Sequence, residues 1–525
     1  MKKIIAKTLL LVSCLLITAM ADIKPSGLFV DHMVIQRETQ APIWGIADPG
    51  EKVIAEASWG AMAETTADAN GKWILKLQTP KAGGPHKLTL QGKNKIELKD
   101  ILSGDVWLCS GQSNMAWPVS KSLNPQKDIS EANYPQIRSF TVNRKTALSP
   151  QEECDGLWEV CSPQTVEGFS ATAFYTGREL YKELNVPIGL LTSAWGGTII
   201  EAWTPWAEQS NDPFAIARKA PIDQKAKGYN PETAKANYEK KLALWNKEKE
   251  ESTKGKKGRS RKPTLATDPR LSQNYPANLY NGMIHPLRHF AIKGAVWYQG
   301  ESNAQKIETA IHYRNQLTTM IKSWRKVWGI DFPFYSVQLP NFKKQQNLPV
   351  EHENIWPAIR ESFVKVTENI KNSYTICTID LGEAKDIHPK NKQDVGKRMA
   401  STILNKTYNK KTPTTPFMKS HTIDGNKVII ELSYSGSGLI AKDGPLKAFA
   451  IAGEDQKFIW ADAKIIRKNG TDYVVVSSPE VSKPSSVRYA WADNPATCNL
   501  YSKEGFPASP FRTDTWIFQN KSENK

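Results

Sequence analysis

Residues 107–118 read WLCSGQSNMAWP, which places Ser113 among small and polar residues directly after an apolar run. A nucleophilic serine on a sharp turn between a strand and a helix has this pattern, and so does an ordinary loop. The apolar run has the length of a buried strand, which favours a sheet that ends at this turn. The rest of the sequence is needed to distinguish a catalytic turn from an ordinary loop.

The middle of the chain, residues 101–412, alternates between strand-like and helix-like patterns, which is typical of a parallel α/β sheet. Apolar residues at helical spacing mark one helix face after the third strand-like run and another after the fifth. Two long interruptions, residues 124–168 and 206–275, are predicted to be insertions. Five apolar runs of strand length predict the sheet, and they begin at Asp105, Ile188, Ile292, Phe332 and Tyr374.

The two ends of the chain have the pattern of antiparallel β-structure. Short alternating runs in residues 22–100 are separated by turn signals such as Pro49-Gly50 and Asn70-Gly71. Residues 413–525 repeat this pattern. We therefore predict β-sandwich-like domains on both sides of the α/β core.

Residues 1–21 have the composition of a secretory signal peptide. A basic start is followed by an apolar run and by the small-residue pattern Ala19-Met20-Ala21. The apolar run is too short to span a membrane, and no later segment is long enough. Cys14 is an alternative lipoprotein anchor, but it lies too early in the run, so cleavage before Asp22 is favoured. The sequence predicts export to the periplasm or the exterior.

The formal net charge of +17 is dominated by lysine, and much of it lies in the lysine-rich insertion, residues 246–263. This segment mixes both signs and then becomes purely basic with Gly and Ser, which is typical of a solvated helix end that continues into a flexible loop. Aromatic residues do not alternate with the basic ones, which argues against nucleic-acid binding.

Five cysteines remain after cleavage of the signal peptide. Export permits disulfides, and Cys154 and Cys161 are close enough in sequence to close a short loop. The chain has neither C-x-x-C nor H-E-x-x-H spacing, so the cysteines and histidines predict no metal site.

Polar residues and glycines follow all five predicted strands at the point where each strand ends. Ligands of open parallel sheets bind beyond the carboxyl ends of the strands. We therefore expect one site built from separated segments, namely Gly111–Asn114, Gly196–Thr198, Gln299–Asn303, Gln338 and Asp386–Pro389.

A serine nucleophile requires a base, and His388 is the candidate because it alone of the eight histidines follows a predicted strand end. Asp386 lies two residues earlier, on the same side of an extended chain, and its carboxylate could orient the imidazole. Alternatively, Asp386 caps the helix that follows.

Donors to a substrate oxyanion are also available in the sequence. Gly196 and Gly197 leave room for backbone N–H groups to face the substrate, unless they serve only for close packing. Gln299 can donate an amide N–H, or it caps the end of its strand. Glu301 accepts but does not donate when ionised, so it either supports neighbouring side chains or is a plain surface charge.

The chain resembles the sialate O-acetylesterase family, within the SGNH hydrolase superfamily and close to the carbohydrate acetylesterases. The resemblance extends over nearly the whole mature chain except the lysine-rich insertion. It is carried by residues 104–119 (GDVWLCSGQSNMAWPV), 188–203 (IGLLTSAWGGTIIEAW), 279–304 (LYNGMIHPLRHFAIKGAVWYQGESNA), 386–400 (DIHPKNKQDVGKRMA) and 507–516 (PASPFRTDTW).

The resemblance implies that Ser113 is the nucleophile and an oxyanion donor, with His388 as the base. It also implies that the Gly196-Gly197 turn and Gln299 complete the oxyanion hole. The expected fold is a three-layer α/β/α core with a parallel five-stranded sheet. The expected activity is that of an exported serine esterase, which removes O-acetyl groups from carbohydrates and needs no metal or organic cofactor.

One departure from the superfamily concerns the acid. The superfamily usually spaces its acid and histidine as D-x-x-H, whereas this chain has D-x-H at Asp386. Asp380 and Glu383 are therefore rivals for the role, or a backbone carbonyl serves and the site is a dyad.

The sequence leaves two substrates open for the expected esterase. Acetylated sialic acid is preferred, and acetylated xylan is the alternative. A non-catalytic carbohydrate-binding protein is disfavoured because every catalytic position is filled. Sialic acids carry a carboxylate, and Arg360 is the candidate cation for it, unless it forms a structural ion pair. Asn114 and Gln338 are candidates for contacts with the substrate or the catalytic groups.

Xylan would favour a groove floored by aromatic residues such as Trp117, Trp203 or Trp206.

Overall fold

The computed structural model describes residues 22–252, 261–351, 355–433 and 436–516. The predicted signal peptide with Cys14 lies outside these ranges, as does the middle of the lysine-rich insertion. The expected mixed α/β class is confirmed. None of the helices in these ranges has both the length and the apolarity that a membrane span requires.

The N-terminal strands form two small sheets. They are β1 (Lys24–Pro25), β2 (Val34–Gln36), β3 (Gln40–Ile46), β4 (Lys52–Ala57), β5 (Met62–Thr66), β6 (Lys72–Gln78), β7 (Gly83–Gln91) and β8 (Lys95–Gly111). Strands β1, β3 and β6 form an antiparallel sheet. Strands β4, β5 and β7 form a second one, which continues into the first half of β8.

Strand β8 belongs to two sheets at once. It is one continuous strand of 17 residues, and its second half lies in the central parallel sheet. The boundary predicted at residue 100 therefore falls inside a strand. Buried apolar residues from Ile23 to Leu404 form one cluster, so the N-terminal strands share a hydrophobic core with the central sheet.

The central sheet has the order β10-β9-β11-β8-β12-β13-β14, with β10 antiparallel at its edge and the other six strands parallel. The expectation of five parallel strands was wrong, because β9 lies inside the predicted insertion at residues 124–168. Half of the β9 residues are not buried, so its sequence lacks the continuous apolar run of a central strand. The strands that join β8 are β9 (Tyr134–Thr141), β10 (Trp158–Cys161), β11 (Ile188–Ala194), β12 (Gly294–Tyr298), β13 (Phe334–Val337) and β14 (Ser373–Ile376).

The helices are α1 (Ser113–Ala116), α2 (Pro125–Ser130), α3 (Ala171–Leu184), α4 (Trp206–Gln209), α5 (Pro213–Lys227), α6 (Pro231–Ser252), α7 (Ile307–Trp328), α8 (Ile355–Asn369) and α9 (Lys392–Lys406). Helices α3 and α9 pack together on the sheet face that carries Leu190. Helices α7 and α8 pack together on the opposite face, where Trp297 contacts α7. Short 3₁₀ turns occupy Val119–Lys121, Val166–Gly168, Ile200–Trp203, Pro269–Leu271 and His285–Leu287, and a π-turn occupies Tyr280–Ile284.

The C-terminal strands have a hydrophobic core of their own, which runs from Val428 to Phe511. They form two four-stranded sheets and one pair, in the orders β15-β16-β21-β20, β19-β18-β22-β24 and β17-β23. The strands are β15 (Phe417–Asp424), β16 (Lys427–Ser433), β17 (Leu439–Ala441), β18 (Phe449–Ala452), β19 (Ile459–Trp460), β20 (Asp462–Lys468), β21 (Thr471–Ser477), β22 (Ser486–Tyr489), β23 (Leu500–Ser502) and β24 (Phe511–Arg512).

The disulfide expected between Cys154 and Cys161 is not formed, and every cysteine within the described ranges is a free thiol. Cys161 ends β10, and its Sγ lies 3.7 Å from the carbonyl oxygen of Ala132. Cys154 lies in the preceding loop, with its carbonyl oxygen against Gly27. The two residues therefore pack against different parts of the core.

Candidate active site

The turn after β8 is a tight connection between a strand and a helix at the carboxyl edge of the sheet. Gly111 has φ of +142°, and a Cβ there would lie 2.1 Å from the carbonyl oxygen of Tyr298 in β12. The N–H of Gln112 donates to that same oxygen at 2.9 Å. Only glycine fits this approach, and the turn leaves Ser113 as the first residue of α1.

His388 lies on the loop between β14 and α9, within hydrogen-bonding distance of the serine. Its Nε2 is 2.8 Å from the Oγ of Ser113. The ring of Trp117 stacks on the imidazole, with the centroids 5.0 Å apart and the planes at 14°. The structure therefore brings together the two residues predicted to be nucleophile and base, in a geometry that allows proton transfer.

Asp386 approaches the other side of the imidazole. Its Oδ1 accepts the backbone N–H of His388 at 2.9 Å and lies 3.3 Å from Nδ1 of the same residue. The D-x-H spacing therefore works through a turn closed by the carboxylate, not through an extended chain. The alternative role as a helix cap is wrong, because Asn391 caps α9 by accepting the N–H of Asp394.

The two rival carboxylates bond elsewhere. Asp380 binds the guanidinium of Arg398 through both oxygens and accepts the hydroxyl of Tyr501. Burial alone would raise the pKa of Asp380, but these bonds hold it below its usual value. Glu383 accepts the backbone N–H of Lys390. Within the described ranges, Asp386 is the carboxylate that lies within 4 Å of the imidazole of His388.

The Gly196-Gly197 turn lies directly against Ser113. A Cβ on Gly196 would lie 3.2 Å from the Cβ of Ser113, and Gly197 has φ of +72°. The carbonyl groups of the turn accept side-chain amides of Gln273 and Asn274, each at 3.1 Å. Among the described residues, the two N–H groups have no acceptor. They are therefore free to donate to a substrate oxygen.

Gln299 is completely buried beneath this turn, but it offers no donor to a substrate. Its amide hydrogens donate to the carbonyl of Thr198 at 3.0 Å and to Oδ1 of Asn303 at 2.9 Å. Tyr313 in turn donates its hydroxyl to Oε1 of Gln299 at 2.8 Å. This geometry supports Gln299 as a residue that fixes the glycine turn, and it does not support a direct role in the oxyanion hole.

A buried chain of polar groups lies beneath the turn that carries Ser113, and sequence reasoning found only part of it. Asn114 donates to Oε1 of Glu301 at 2.5 Å and accepts the ammonium of Lys392 at 2.6 Å. It also donates to the carbonyl of Ile387 at 3.2 Å, which ties the serine turn to the histidine loop. Glu301 is 7% exposed, so the alternative of a plain surface charge is wrong.

Burial disfavours charge on both ends of this chain. Desolvation raises the pKa of Glu301, although Asn114 and Lys392 oppose the shift. Desolvation lowers the pKa of Lys392 to about 7, although Glu301 and Asp386 oppose it. Lys392 was missed because a lysine in a helix is normally solvated. One feature of the sequence could have drawn attention to Lys392. It is the first residue of α9, where a positive charge is unfavourable because it lies at the positive end of the helix dipole.

Three of the predicted substrate contacts lie away from the site. Arg360 is fully buried and donates to four backbone carbonyls, those of Leu339, Pro340, Ala492 and Asp493. Gln338 donates to the carbonyl of Arg360 and to Ser509. Trp203 is fully buried and donates to Thr198, so it cannot floor a groove. These expectations were wrong because all three side chains join elements of the core.

A serine hydrogen-bonded to an imidazole, at the carboxyl edge of a parallel sheet, is the arrangement of an α/β hydrolytic enzyme. Comparison with known proteins agrees with this class. The family described as carbohydrate esterase, sialic acid-specific acetylesterase, matches residues 103–228 and 269–405. The chain belongs to this family and is a carboxylic ester hydrolase that acts on acetylated sugars.

Individual relatives match along most of the chain. The sialate O-acetylesterase of Mus musculus is 29% identical, over 92% of this chain and 92% of its own. That of Homo sapiens is 27% identical, over 92% and 90%. A crystal structure of a carbohydrate acetylesterase from Xanthomonas citri is 33% identical, with a TM-score of 0.78, over 94% of this chain and 100% of that one.

Proposed function

We propose that this protein is an exported serine esterase that removes O-acetyl groups from sialic acids through an acyl-enzyme on Ser113. The observation that carries the proposal is the 2.8 Å contact between the Oγ of Ser113 and the Nε2 of His388. A hydroxyl is a weak nucleophile until a base accepts its proton, and this contact supplies the base.

In the first step, Oγ of Ser113 attacks the acetyl carbonyl carbon while His388 takes the hydroxyl proton. The carbonyl oxygen becomes an oxyanion that accepts the N–H groups of Ser113, Gly196 and Gly197. The carboxylate of Asp386 stabilises the imidazolium. The bond from the acetyl carbon to the sugar oxygen then breaks, and His388 returns its proton to that oxygen.

In the second step, His388 accepts a proton from water as the water oxygen attacks the acetyl ester of Ser113. Collapse of the second tetrahedral intermediate releases acetate and returns the proton to the serine oxygen. Each acetyl group removed consumes one water molecule and yields one acetate and one free sugar hydroxyl.

Three observations support the choice of sialic acid and of export. Relatives that match over most of the chain carry the name sialate O-acetylesterase. Residues 1–21 have the charged start, apolar run and small-residue end of a cleaved leader, which supports export. Trp203, one of the three aromatic residues expected to line a groove for xylan, is buried and cannot contact a polysaccharide.

The test compares Ser113→Ala with Ser120→Ala, which changes an exposed serine seven positions further along the chain. With 9-O-acetyl-N-acetylneuraminic acid, we expect Ser113→Ala to lower kcat by about 10³-fold or more. Ser120→Ala should keep the wild-type rate. Retention of a tenth of the activity by Ser113→Ala would contradict the mechanism. A higher kcat/KM on acetylated xylo-oligosaccharides than on the sialic acid would contradict the substrate.

A further inference from the structure

A cavity of about 410 Å³ lies near the turn that carries Ser113, although neither Ser113 nor His388 is among its lining residues. Its lining includes Ala116, which lies one helical turn after Ser113 in α1, and Ala194, which ends β11 two residues before Gly196. A group in this cavity therefore lies next to both the serine turn and the glycine turn. Small-ligand sites have volumes of about 300–1,000 Å³, so one sugar residue is a suitable occupant.

Arg144 lines the same cavity and is exposed. Its guanidinium lies over the ring of Trp195, 5.6 Å from the ring centroid. Trp195 is the residue before Gly196. This cation–π contact restrains the arginine over the cavity and leaves the N–H groups at the edge of the guanidinium available.

Arg144 has no acidic partner among the described residues, unlike several of the other arginines. Arg178 binds Asp128, and Arg398 binds Asp380 through both oxygens. Across the ranges that the structure describes, no carboxylate lies within 4 Å of the Arg144 guanidinium. The side chain is thus an exposed guanidinium that is held by an aromatic ring and lines a cavity. Its planar set of N–H donors matches the two oxygens of a carboxylate.

We propose that this cavity is the subsite for the carboxylate of an acidic sugar, and that Arg144 binds that carboxylate. The inference rests on the proposed function, since it assigns the feature that distinguishes a sialic acid from a neutral acetylated sugar. Arg360, the cation expected from the sequence, is buried among backbone carbonyls and cannot take this role. Lys392 is engaged by Asn114 and is fully buried.

The test measures discrimination between two substrates that differ at one group, which is a charged carboxylate in the first and a neutral methyl ester in the second. They are 9-O-acetyl-N-acetylneuraminic acid and its carboxyl methyl ester, with acetate release as the readout. In the wild type, kcat/KM should favour the acid. Arg144→Gln should lower the ratio of acid to methyl ester by about tenfold or more, because the ester cannot form the charge-assisted bonds.

The matched control is Lys121→Gln, which removes an exposed cation that lies over the Trp117 ring, outside the cavity lining. It should leave the acid-to-ester ratio within twofold of wild type (about 0.4 kcal/mol). A ratio that falls in Lys121→Gln and not in Arg144→Gln would overturn the proposal. So would an unchanged ratio in Arg144→Gln.

Failure of the proposed function has a different signature. If the wild type does not deacetylate the sialic acid, the subsite is tested by inhibition of p-nitrophenyl acetate hydrolysis with N-acetylneuraminic acid. Competitive inhibition that weakens about tenfold in Arg144→Gln would support the carboxylate subsite alone. Equal inhibition of both proteins, or none of the wild type, would overturn it.

Discussion

Replacing Asp386 with Asn tests the link from the carboxylate to the imidazole with little change of shape. An asparagine keeps an Oδ1 that can accept the backbone N–H of His388, so the turn should persist. What it loses is the negative charge 3.3 Å from Nδ1 of His388. That charge matters mainly when the imidazole becomes an imidazolium, which happens in the transition state.

The size of the effect follows from the geometry. A hydrogen bond to a charged group contributes about 1.5–3 kcal/mol when shielded from water. The Asp386 side chain is 41% exposed, and its Oδ1 is shared with a backbone N–H, so solvent screening reduces the figure. We take about 1–2 kcal/mol, which corresponds to a fall in kcat of about 5- to 30-fold. A buried triad aspartate is worth more, about 10⁴-fold.

The assay is steady-state acetate release at neutral pH, with thermal unfolding of each variant as a check on folding. Glu383→Gln is the matched control, since that carboxylate accepts a backbone N–H of the same loop and lies more than 4 Å from the imidazole. It should change kcat by less than about twofold, or 0.4 kcal/mol. An Asp386→Asn enzyme with wild-type kcat would refute the reasoning and indicate a dyad. A loss near 10⁴-fold would show that screening had been overestimated.

Three further outcomes are expected. Because burial lowers the pKa of Lys392 to about 7 in the folded protein, the unfolded chain binds more protons above that pH. The free energy of unfolding should therefore rise by about 2 kcal/mol more in wild type than in Lys392→Met between pH 7 and 9, as denaturation by urea would show. Gly196→Ala should lower kcat about tenfold by displacing Ser113, whereas Gly228→Ala, whose Cβ would make only an ordinary contact at 3.8 Å with the carbonyl oxygen of Lys225, should not. All cysteine thiols within the described ranges should react with an alkylating agent once the protein is denatured without reductant, and a protected pair would contradict this.

The sequence was sufficient for the strands that are buried on both faces. Their apolar runs, such as residues 106–109 in β8, reflect burial that the structure shows at every position of this stretch and of β11 and β12. Strand β9 was missed because an exposed start gives it a mixed pattern. The position of Ser113 and His388 after predicted strands was enough to predict that they lie close together, since the carboxyl ends of parallel strands meet at one edge.

The residues that were misread depend on partners far away in sequence. From the sequence, the amide of Gln299 is expected to be free to donate. In the structure, Thr198 and Asn303 accept both of its hydrogen bonds. From the sequence, Arg360 is expected to be a cation at the edge of the site. In the structure, it donates to four carbonyl groups from segments distant in sequence. No pattern of neighbours in the chain encodes these contacts, because they arise only when the core has been assembled.

The double membership of strand β8 has a consequence for the order in which the molecule is built. Its first half pairs with β7 only a few residues earlier in the chain, whereas its second half pairs with β11 and β12, which are synthesised much later. Local hairpins form faster than contacts between distant segments. We therefore expect the N-terminal hairpin to act as a folding template that sets the register of the serine's strand before its final neighbours arrive. A chain started at residue 101 would lack that template and would have to find the same register unaided.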